Sequence, residues 1–448
     1  MPTLAAVVLA AGKSTRMKSK TVKVLHPIAG VPIIHYVLST VASVEPSRVV
    51  IVVGHGGEQV RNAIGAGPLF VEQGELLGTG HALLQARAAV EGQADTVLCL
   101  YADMPLIRPE TLHRLIATHD ASGSVMTLLT VGGEDSMGFG RIVRDSKGQV
   151  QSIIEEKSAT ADILAIKEYN AGVYCFRAGW LWPRLGRLNK SPAGEYYLTD
   201  MLAIAVGEGA PVRTEFCADV SEVQGINTRV QLAQAEATVR DAIRHRLMLD
   251  GVTLIDPSSV YIDASVTIAA DTIVYPNTFI QGRTSIGEDC QIGPNSQIID
   301  STIGAGCRIW ASVIEQAIVK DGVSIGPFSH LRPGAQVGKA TRIGNFAEIK
   351  NSIVGEHVHM GHFSYMGDAS VGDNVNIGAG AITCNFDGKT KNPTVIEDGA
   401  FIGSDTLLVA PVKVGKKART GAGSVVTHDI PPDTLAYGVP AKVVKKKE

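Results

Sequence analysis

The sequence of 448 residues has no surplus of basic residues. Lysine and arginine number 41 against 44 aspartates and glutamates, which gives a formal net charge of -3. A protein that holds nucleic acid needs an excess of cations to meet the phosphates, so we expect no nucleic-acid partner. No apolar run approaches the roughly 20 residues that cross a bilayer, so we expect no membrane partner either.

Cysteine is also scarce and follows no pattern. The 6 cysteines form neither a C-x-x-C pair nor the spacing of metal ligands. We therefore predict mostly buried, reduced thiols in a cytoplasmic protein. The first eleven residues lack the basic start of an export signal, which agrees with that location. Small anionic substrates remain compatible with the composition, because a few clustered lysines and arginines are enough to bind them.

One pattern is abundant in the C-terminal half, where aliphatic residues recur at every sixth position. Neither a helix nor an ordinary strand requires that period, whereas one flat side of a triangular β-coil does. A single coil cannot bury its own apolar residue and must stack on its neighbours, so we predict a parallel β-helix over residues 250–448. Two interruptions of the series are predicted to project functional residues. The series is Ile262, Ile268, Val274, Ile280, Ile286, Ile292 and Ile298, then Ile325, Leu331, Val337, Ile343 and Ile349, and finally Ile396, Ile402, Leu408 and Val414.

The N-terminal half alternates short apolar segments with helical stretches. We expect strands at residues 4–9, 49–53 and 96–100, and helices at 33–44 and 80–90. This order predicts an α/β, Rossmann-like domain over residues 1–227, with ligands at the carboxyl ends of parallel strands. Residues 228–249 carry apolar side chains at helical spacing and predict a single linker helix.

The loop after the first strand is a candidate phosphate site. Gly12 lets the backbone approach a phosphate chain closely, and Arg16 and Lys23 can neutralise a leaving pyrophosphate. The loop lacks the Walker spacing, and on these residues alone a phosphate loop and a plain turn are equally compatible. Asp103 ends the third strand, where a carboxylate is a candidate Mg²⁺ ligand, although a turn or helix-capping role is commoner.

Further motifs follow in order along this half of the chain. They are Leu9-Ala10-Ala11-Gly12, Thr15-Arg16-Met17, Gln73, Gly78-Thr79, Tyr101-Ala102-Asp103, Gly140, Glu155, Asn170 and Asn227. Together they resemble the signature of sugar-phosphate nucleotidyltransferases. Ser14 stands where a second glycine is usual, and this departure bears on the conformation of the loop.

The resemblance implies transfer of a nucleotide from UTP to a sugar 1-phosphate, with Arg16 and Lys23 as catalytic residues. It implies that Asp103 and Asn227 hold Mg²⁺. Gln73 with the Gly78-Thr79 turn would meet uracil, although Gln73 taken alone is more typical of an exposed loop. The remaining implied nucleotide and sugar contacts are Leu9, Ala10, Ala11, Gly12, Lys23, Tyr101, Ala102, Gly140, Glu155 and Asn170, of which the last three would meet an N-acetylated sugar. His55 and His81 are interpreted as ordinary structural or surface residues.

A second cluster lies in the repeat region. Arg332, Lys350, His362, Tyr365 and Asn376 fall within a few coils, and residues about 18 positions apart stack on one face. A histidine in the turn of a coil is usually structural, and lone cations there are usually solvated. The setting of His362 is more specific: it is Gly361-His362-Phe363-Ser364-Tyr365, followed by the run from Asn374 to Gly380.

That setting resembles the acetyltransferase half of the bifunctional N-acetylglucosamine-1-phosphate uridyltransferase/glucosamine-1-phosphate acetyltransferase family. The resemblance spans both halves of the chain and implies a left-handed β-helix, a homotrimer, and His362 as general base. The implied glucosamine 1-phosphate contacts are Arg332, Lys350, Tyr365, Asn376 and Lys391, and the implied acetyl-CoA contacts are Ala379, Asn385, Phe386, Ser404 and Ala422, some across a subunit boundary. Phe386 replaces a tyrosine, and the short C-terminus leaves residues 442–447 as candidates for the CoA phosphates.

The resulting hypothesis is a cytoplasmic enzyme that makes UDP-N-acetylglucosamine, a precursor for peptidoglycan and lipopolysaccharide. Two alternatives stay open. One is a single-activity nucleotidyltransferase whose β-helix serves regulation or assembly, and the other is a non-catalytic subunit that keeps both folds. The second alternative predicts erosion of Arg16, Lys23, Asp103 or Asn227, and none of these residues is eroded.

Overall fold

The computed structural model describes residues 2–156, 159–192 and 194–446, without the side chains of Lys445 and Lys446. The chain divides into two compact units, with the boundary between Val239 and Arg240. None of the described helices combines the length and the apolar character of a membrane span. All six cysteines are unpaired and five of them are buried, in agreement with the expected reduced thiols.

The first unit is built around one large sheet in the strand order β11-β7-β10-β6-β1-β4-β5. Its strands are β1 Leu4–Ala10, β2 Pro27–Ile28, β3 Val31–Pro32, β4 Arg48–Val53, β5 Leu69–Glu72, β6 Thr96–Tyr101, β7 Met126–Gly132, β8 Arg141–Arg144, β9 Val150–Ile154, β10 Glu168–Arg177 and β11 Val212–Cys217. Its helices are α1 Ile33–Ser43, α2 Gly57–Ile64, α3 Thr79–Gln85, α4 Arg87–Val90, α5 Pro109–Ser122, α6 Ala161–Leu164, α7 Ala178–Leu185 and α8 Asp200–Gly207.

Both faces of this sheet are buried, which explains the continuous apolar runs of its central strands. In β1, Ala5 and Val7 belong to one hydrophobic layer, while Ala6 and Val8 belong to the other. The central strands β4, β1 and β6 are parallel, as predicted, and β10 enters antiparallel between β6 and β7. The helix expected over 80–90 is two shorter helices, which meet at Ala86.

The segment assigned to a linker forms one helix, α9, Arg229–Leu249, of 21 residues. At a rise of 1.5 Å per residue such a helix is about 30 Å long. The boundary between the two compact units falls inside this helix.

The second unit is a parallel β-helix with three faces, which confirms the predicted fold class. The first face contains Thr253–Leu254, Ile273–Val274, Gln291–Ile292, Arg308–Ile309, Ser324–Ile325, Arg342–Ile343, His359–Met360, Asn376–Ile377, Phe401–Ile402, Arg419–Thr420, Thr434–Gly438 and Ala441–Lys446. The second contains Tyr261–Ile262, Phe279–Gln281, Gln297–Ile299, Val313–Glu315, His330–Leu331, Ala347–Lys350, Ser364–Gly367, Ile382–Cys384, Leu407–Val409 and Val425–Val426. The third contains Thr267–Ile268, Ser285–Ile286, Thr302–Ile303, Ile318–Val319, Gln336–Val337, Ile353–Val354, Ala369–Val371, Thr394–Ile396 and Val412–Val414.

The first of the two predicted interruptions is not an interruption of the structure. The hexad register is lost after Ile298, but strands continue through this region and their aliphatic residues stay buried. Several sides of the prism have five residues instead of six, as from Ile298 to Ile303 and from Ile309 to Ile314. The apolar column is therefore continuous, and no residue is projected here.

The second interruption does contain a loop. Residues 385–393 join Ile382–Cys384 on the second face to Thr394–Ile396 on the third. Phe386 and Lys391 form an isolated antiparallel bridge within it. The side chain of Asp387 accepts from the backbone N–H groups of Lys389 and Thr390, each at 2.8 Å. The loop is therefore a braced hairpin that holds Lys391 at a defined place on the prism.

Candidate active sites

A cavity of about 410 Å³ opens at the carboxyl ends of β1 and β6. The parallel strands bring residues that are distant in sequence to this edge, as expected for an open α/β sheet. Ala102 and Arg16 do not line it: Ala102 is buried and its N–H bonds to Leu9 O at 3.0 Å, and Arg16 is exposed. The predicted residues that do line the cavity are Leu9, Ala10, Ala11, Gly12, Lys23, Gln73, Gly78, Thr79, Tyr101 and Asp103.

Lys23, Asp103 and Asn227 converge on one point. The Lys23 ammonium donates to the Asp103 carboxylate and, over 2.9 Å, to Asn227 Oδ1. Asn227 is brought there by the preceding residue, because the N–H of Ile226 bonds to the backbone oxygen of Asp103 at 2.9 Å. One carboxylate and one amide oxygen thus share a single cationic partner. Two hard oxygen ligands of this kind fit Mg²⁺, which completes its octahedron with phosphate and water.

Sequence reasoning missed a residue that supports this pair. Gln231, in the first turn of α9, accepts from the backbone N–H groups of Asn227 and Thr228 at 2.8 and 3.0 Å. A side-chain acceptor near a helix start fixes the entry of the chain. The signal that could have identified it is the capping box Thr228-x-x-Gln231 at the start of the predicted helix, in which the Thr228 hydroxyl accepts from the backbone N–H of Gln231 at 3.2 Å.

Ser14, the departure from the family pattern, takes a left-handed conformation with φ 58°. Non-glycine residues in that region cost about 1–2 kcal/mol. Its hydroxyl accepts from the backbone N–H of Lys23 at 3.2 Å and lies 3.4 Å from Gly12 O. The serine therefore keeps the backbone shape expected for glycine and adds a bond between the loop and the segment that carries Lys23.

A second cavity, of about 310 Å³, shares Thr79, Tyr101 and Asp103 with the first. It collects the residues expected to meet an N-acetylated sugar, namely Gly140, Glu155 and Asn170, together with Asn227. A Cβ atom at position 140 would lie only 2.7 Å from Ile153 Cγ2, so a residue with a side chain would not fit at this wall of the cavity without a shift of Ile153. The two cavities meet at Asp103.

Two carboxyl groups of this second region have shifted pKa values. Desolvation, and then the charge of Asp200, raise the pKa of Glu155. Desolvation also raises the pKa of Asp200. A carboxyl with a raised pKa keeps its proton to higher pH, and a protonated carboxyl can donate a hydrogen bond as well as accept one. Asn170 is held by Tyr174, to whose hydroxyl oxygen its Nδ2 donates at 2.8 Å.

On the β-helix, His362 lies in the turn between the first and second faces. A groove of about 650 Å³ runs past it and is also lined by Asn376, Ala379, Ser404 and Ala422. The His362 side chain is exposed and makes no hydrogen bond to any side chain in the described part of the prism. Five of the residues predicted for acetyl transfer, His362 and these four lining residues, therefore lie together in one groove.

The predicted phosphate-binding residues lie elsewhere, at the end of the second face. Arg332, Lys350 and Lys391 form a cationic cluster there, with Arg332 Nη1 held by Glu348 Oε1 at 2.8 Å. The adjacent ammonium of Lys391, and then Arg332, lower the pKa of Lys350. Glu348 compensates Arg332 and Asp368 lies close to the two lysines, so the three cations keep a net positive charge that fits a dianionic phosphate. Tyr365 also belongs to the cluster, because its ring lies over Gly367, the residue that pairs with Lys350. A side chain at position 367 would collide with the phenol oxygen.

Asp368 connects this cluster to the loop and was not predicted. Its carboxylate accepts from Asn351 Nδ2 at 2.6 Å and from Asn385 Nδ2 at 2.5 Å. Asn385 is consequently buried at the corner of the prism, while Phe386 is 61% exposed. Neither residue lines the groove of His362. The position of Asp368, one 17-residue coil after Asn351, is the sequence signal that could have identified it.

In one chain, His362 and the cationic cluster occupy opposite ends of the second face. Strand pairing aligns Ala347 with Ser364 and Lys350 with Gly367, so His362 aligns with a position five residues before Lys350. The strand itself spans Ala347–Lys350, about 10 Å at 3.3 Å per residue, and His362 lies beyond the corner turn that precedes it. Within one chain, the imidazole and the cationic cluster are therefore separated by the length of this strand and by the corner turn.

Lys391→Gln is expected to raise the KM for glucosamine 1-phosphate about tenfold, because one charge-assisted hydrogen bond to phosphate is lost, and to change kcat little. A lysine is charged below its pKa, so the lowered pKa of Lys350 means that its charge is lost at lower pH than usual. In the variant the pKa of Lys350 rises, and the alkaline increase in KM should move to higher pH. A pH series of acetyl-transfer kinetics checks both effects, with Lys389→Gln in the same loop as the matched control; an unchanged KM would contradict the assignment.

Comparison with known proteins gives matches to both halves of the chain. A model of the MobA-like NTP transferase domain matches residues 6–196, the bacterial transferase hexapeptide of six repeats matches 283–314 and 316–351, and the hexapeptide repeat of succinyl-transferase matches 393–428. The first confirms the nucleotidyltransferase half, and the other two confirm the hexapeptide prism.

Full-length relatives show the same combination. The bifunctional protein GlmU of Heliobacterium modesticaldum is 49% identical over 432 residues, which cover 96% of this chain and 94% of that protein. The GlmU protein of Shouchella clausii is 44% identical over 98% of this chain and 97% of its own length. That of Exiguobacterium sp. is 45% identical over 96% of each. These matches confirm a transferase that combines uridyltransferase and acetyltransferase activities, and the chain belongs to the bifunctional GlmU family.

Proposed function

We propose that the chain makes UDP-N-acetylglucosamine in two steps, in the cytoplasm, as a supply for cell-wall precursors. The β-helix, residues 250–448, acetylates glucosamine 1-phosphate from acetyl-CoA. The N-terminal domain, residues 1–227, then joins the product to UTP and releases pyrophosphate. The observation that supports this most directly is the pair of cavities that meet at Asp103, one with the residues expected for UTP and one with those expected for an N-acetylated sugar.

The uridylyl step is an in-line displacement at the α-phosphorus of UTP. A phosphate oxygen of the sugar 1-phosphate forms the new P–O bond while the bond to pyrophosphate breaks. Two substrates in adjoining cavities meet at the shared wall of Tyr101 and Asp103, so positioning supplies much of the rate. Lys23, and Arg16 after movement of its exposed side chain, neutralise charge on the leaving group. Mg²⁺ held by Asp103 and Asn227 would supply charge neutralisation at the phosphates.

The acetyl step is an attack of the sugar amine on the thioester of acetyl-CoA. The imidazole of His362 accepts a proton from the amine as the C–N bond forms, the C–S bond breaks, and the imidazolium returns the proton to the sulfur, so that CoA leaves as a thiol. The exposed position of His362 beside Asn376 and Ser404 leaves it accessible to a substrate in the groove. Arg332, Lys350, Lys391 and Tyr365 bind the phosphate, and Ala379, Asn385, Phe386, Ser404 and Ala422 bind acetyl-CoA. Lys442 is exposed on the last strand; Lys447 and the side chains of Lys445 and Lys446 lie outside the described residues.

The gap between His362 and the cationic cluster supports a homotrimer whose sites combine residues of neighbouring copies. The exposed aromatic column Phe328, Phe346 and Phe363 leads to His362 on the same edge of the prism. Exposed apolar surface of this kind is typical of an interface. A copy placed against this edge can bring its own cationic cluster to the imidazole of its neighbour.

Subunit mixing tests that arrangement. His362→Ala and Lys350→Gln should each abolish or strongly reduce acetyl transfer, and their coexpression in one assembly should restore about a quarter of the sites, since each site takes the two residues from different copies. Light scattering reports the oligomeric state of the mixed and parent proteins. No recovery in verified mixed trimers would show that each site belongs to one chain.

The whole proposal is tested by mixing the protein with glucosamine 1-phosphate, acetyl-CoA, UTP and Mg²⁺. We expect free CoA thiol, pyrophosphate and UDP-N-acetylglucosamine. Pyrophosphate from N-acetylglucosamine 1-phosphate and UTP without thiol release from glucosamine 1-phosphate and acetyl-CoA would instead favour the single-activity nucleotidyltransferase. Neither product would favour the non-catalytic subunit.

A further inference from the structure

The side chain of Gln73 is 4% exposed and its amide nitrogen has two partners. Nε2 lies 3.1 Å from the backbone oxygen of Gly78 and 3.0 Å from Nδ1 of His81. An amide nitrogen carries two hydrogens, so both are directed into the protein. Gln73 lines the nucleotide cavity, and its Oε1 accepts no hydrogen bond from the described side chains. The group that Gln73 offers a ligand is therefore an acceptor.

Gly78 O accepts from one N–H of this amide, and His81 decides whether the second N–H also has an acceptor. If Nδ1 is unprotonated it accepts from Gln73, whereas if Nδ1 carries the proton the amide is driven to turn its oxygen inward and its NH₂ group toward the ligand. Nε2 of His81 faces a second amide, because Gln85 Nε2 lies 3.1 Å from it and 3.1 Å from the backbone oxygen of His81. A neutral imidazole has one acceptor nitrogen, so Gln73 and Gln85 compete for it.

Burial settles this competition in favour of Gln73. The amide of Gln73 is buried, so water cannot replace a lost partner, and it is also anchored on Gly78 O. Gln85 is only partly buried on α3 and can turn its amide or bond to water. An unsatisfied buried donor costs about 1–3 kcal/mol. The tautomer with its proton on Nε2 is therefore the stable one.

We propose that His81 is a base-selecting positioning residue, which fixes Gln73 as an acceptor and thereby favours uracil over cytosine. This inference rests on the proposed uridylyl transfer. Position 3 of uracil is an N–H donor and matches a fixed acceptor, whereas position 3 of cytosine is itself an acceptor and is repelled. A site built from fixed hydrogen-bonding groups rejects the mismatched analogue because its own polar groups are left unpaired.

The test is the ratio of kcat/KM for UTP to that for CTP, measured as pyrophosphate release with N-acetylglucosamine 1-phosphate. His81→Leu should lower the ratio about tenfold, the effect of one lost orienting hydrogen bond. His81→Asn should retain most of the preference, since its Oδ1 branches from Cγ as Nδ1 does and accepts from Gln73. Gln85→Glu should keep or increase the preference, because a carboxylate accepts the Nε2 proton and holds the required tautomer. His55→Leu, which removes an exposed histidine of the same unit, serves as the control.

The outcomes distinguish failure of the proposed role of His81 from failure of the proposed uridylyl transfer. A UTP/CTP ratio unchanged in His81→Leu, or lowered equally in His81→Leu and His81→Asn, would overturn the role of His81 while the uridylyl transfer itself stands. Should His81→Leu not fold, the ratio in His81→Asn and Gln85→Glu decides, and a tenfold loss in either would contradict the proposal. A wild-type protein that releases no pyrophosphate from any nucleoside triphosphate would overturn the proposed function and this inference together.

Discussion

Replacing His362 with alanine is expected to lower acetyl transfer by about 10²–10⁴-fold, the usual contribution of a positioned general base. The side chain is exposed in the turn between two faces of the prism, so its removal leaves no buried cavity and should not change the melting temperature measurably. Uridylyl transfer by the same protein should stay at the wild-type level, because the described residues that line the two nucleotide cavities all belong to the first unit. Thiol release and pyrophosphate release, measured on one preparation, give both numbers.

The matched control is His357→Ala, which removes another exposed histidine from a neighbouring turn. It should leave acetyl transfer unchanged. Imidazole added to the solution should restore part of the activity of His362→Ala, since the missing group is a base and not a structural support. Loss of uridylyl transfer in His362→Ala, or equal losses in both histidine variants, would contradict the assignment.

Asp103→Ala is expected to lose uridylyl transfer and keep acetyl transfer, the reverse of His362→Ala. Uridylyl transfer should fall by about 10²–10³-fold, as for loss of one preorganised electrostatic group at a reacting phosphate, while acetyl transfer remains. The carboxylate is the only acidic partner that the described residues give to Lys23, whose ammonium would then keep Asn227 Oδ1 alone. The residual activity should also require more Mg²⁺, because one of the two proposed ligands is missing.

Titration of pyrophosphate release with Mg²⁺ separates metal binding from a general loss of structure. Asp162→Ala on α6 removes an exposed carboxylate from the same unit and should leave the Mg²⁺ dependence unchanged. A normal Mg²⁺ dependence in Asp103→Ala, or loss of acetyl transfer together with uridylyl transfer, would count against a metal-binding role for Asp103.

The periodic parts of this molecule could be predicted from the sequence, because periodicity reports which side chains are buried. The hexads identify the prism, and the alternation of strands and helices identifies the sheet. The prediction was wrong where the period changed without a change of fold: five-residue sides between Ile298 and Ile325 shift the register but keep the column buried. A fixed spacing cannot distinguish a shorter side from a loop.

Site residues could be predicted from the sequence where they belong to short motifs. Lys23, Asp103 and Asn227 lie far apart in sequence, and only the strand order and the turn at Ile226 bring them together. Supporting residues such as Gln231 and Asp368 act through hydrogen bonds to other residues, so a capping motif or a repeat spacing can mark their positions but not the residues that they hold. His81 was interpreted as an ordinary structural residue because its two glutamine neighbours become visible only once α3 packs beside Gln73.

The stacking of coils has a consequence for how this chain can vary in size. Each coil adds about 4.8 Å along the prism, and the coils before Arg332 contribute none of the residues proposed for acetyl transfer. Whole turns of 16 to 18 residues can therefore be gained or lost upstream while the chemistry downstream keeps its local geometry. A change by a fraction of a turn has no such freedom, since it would rotate every later side chain onto the wrong side of the column.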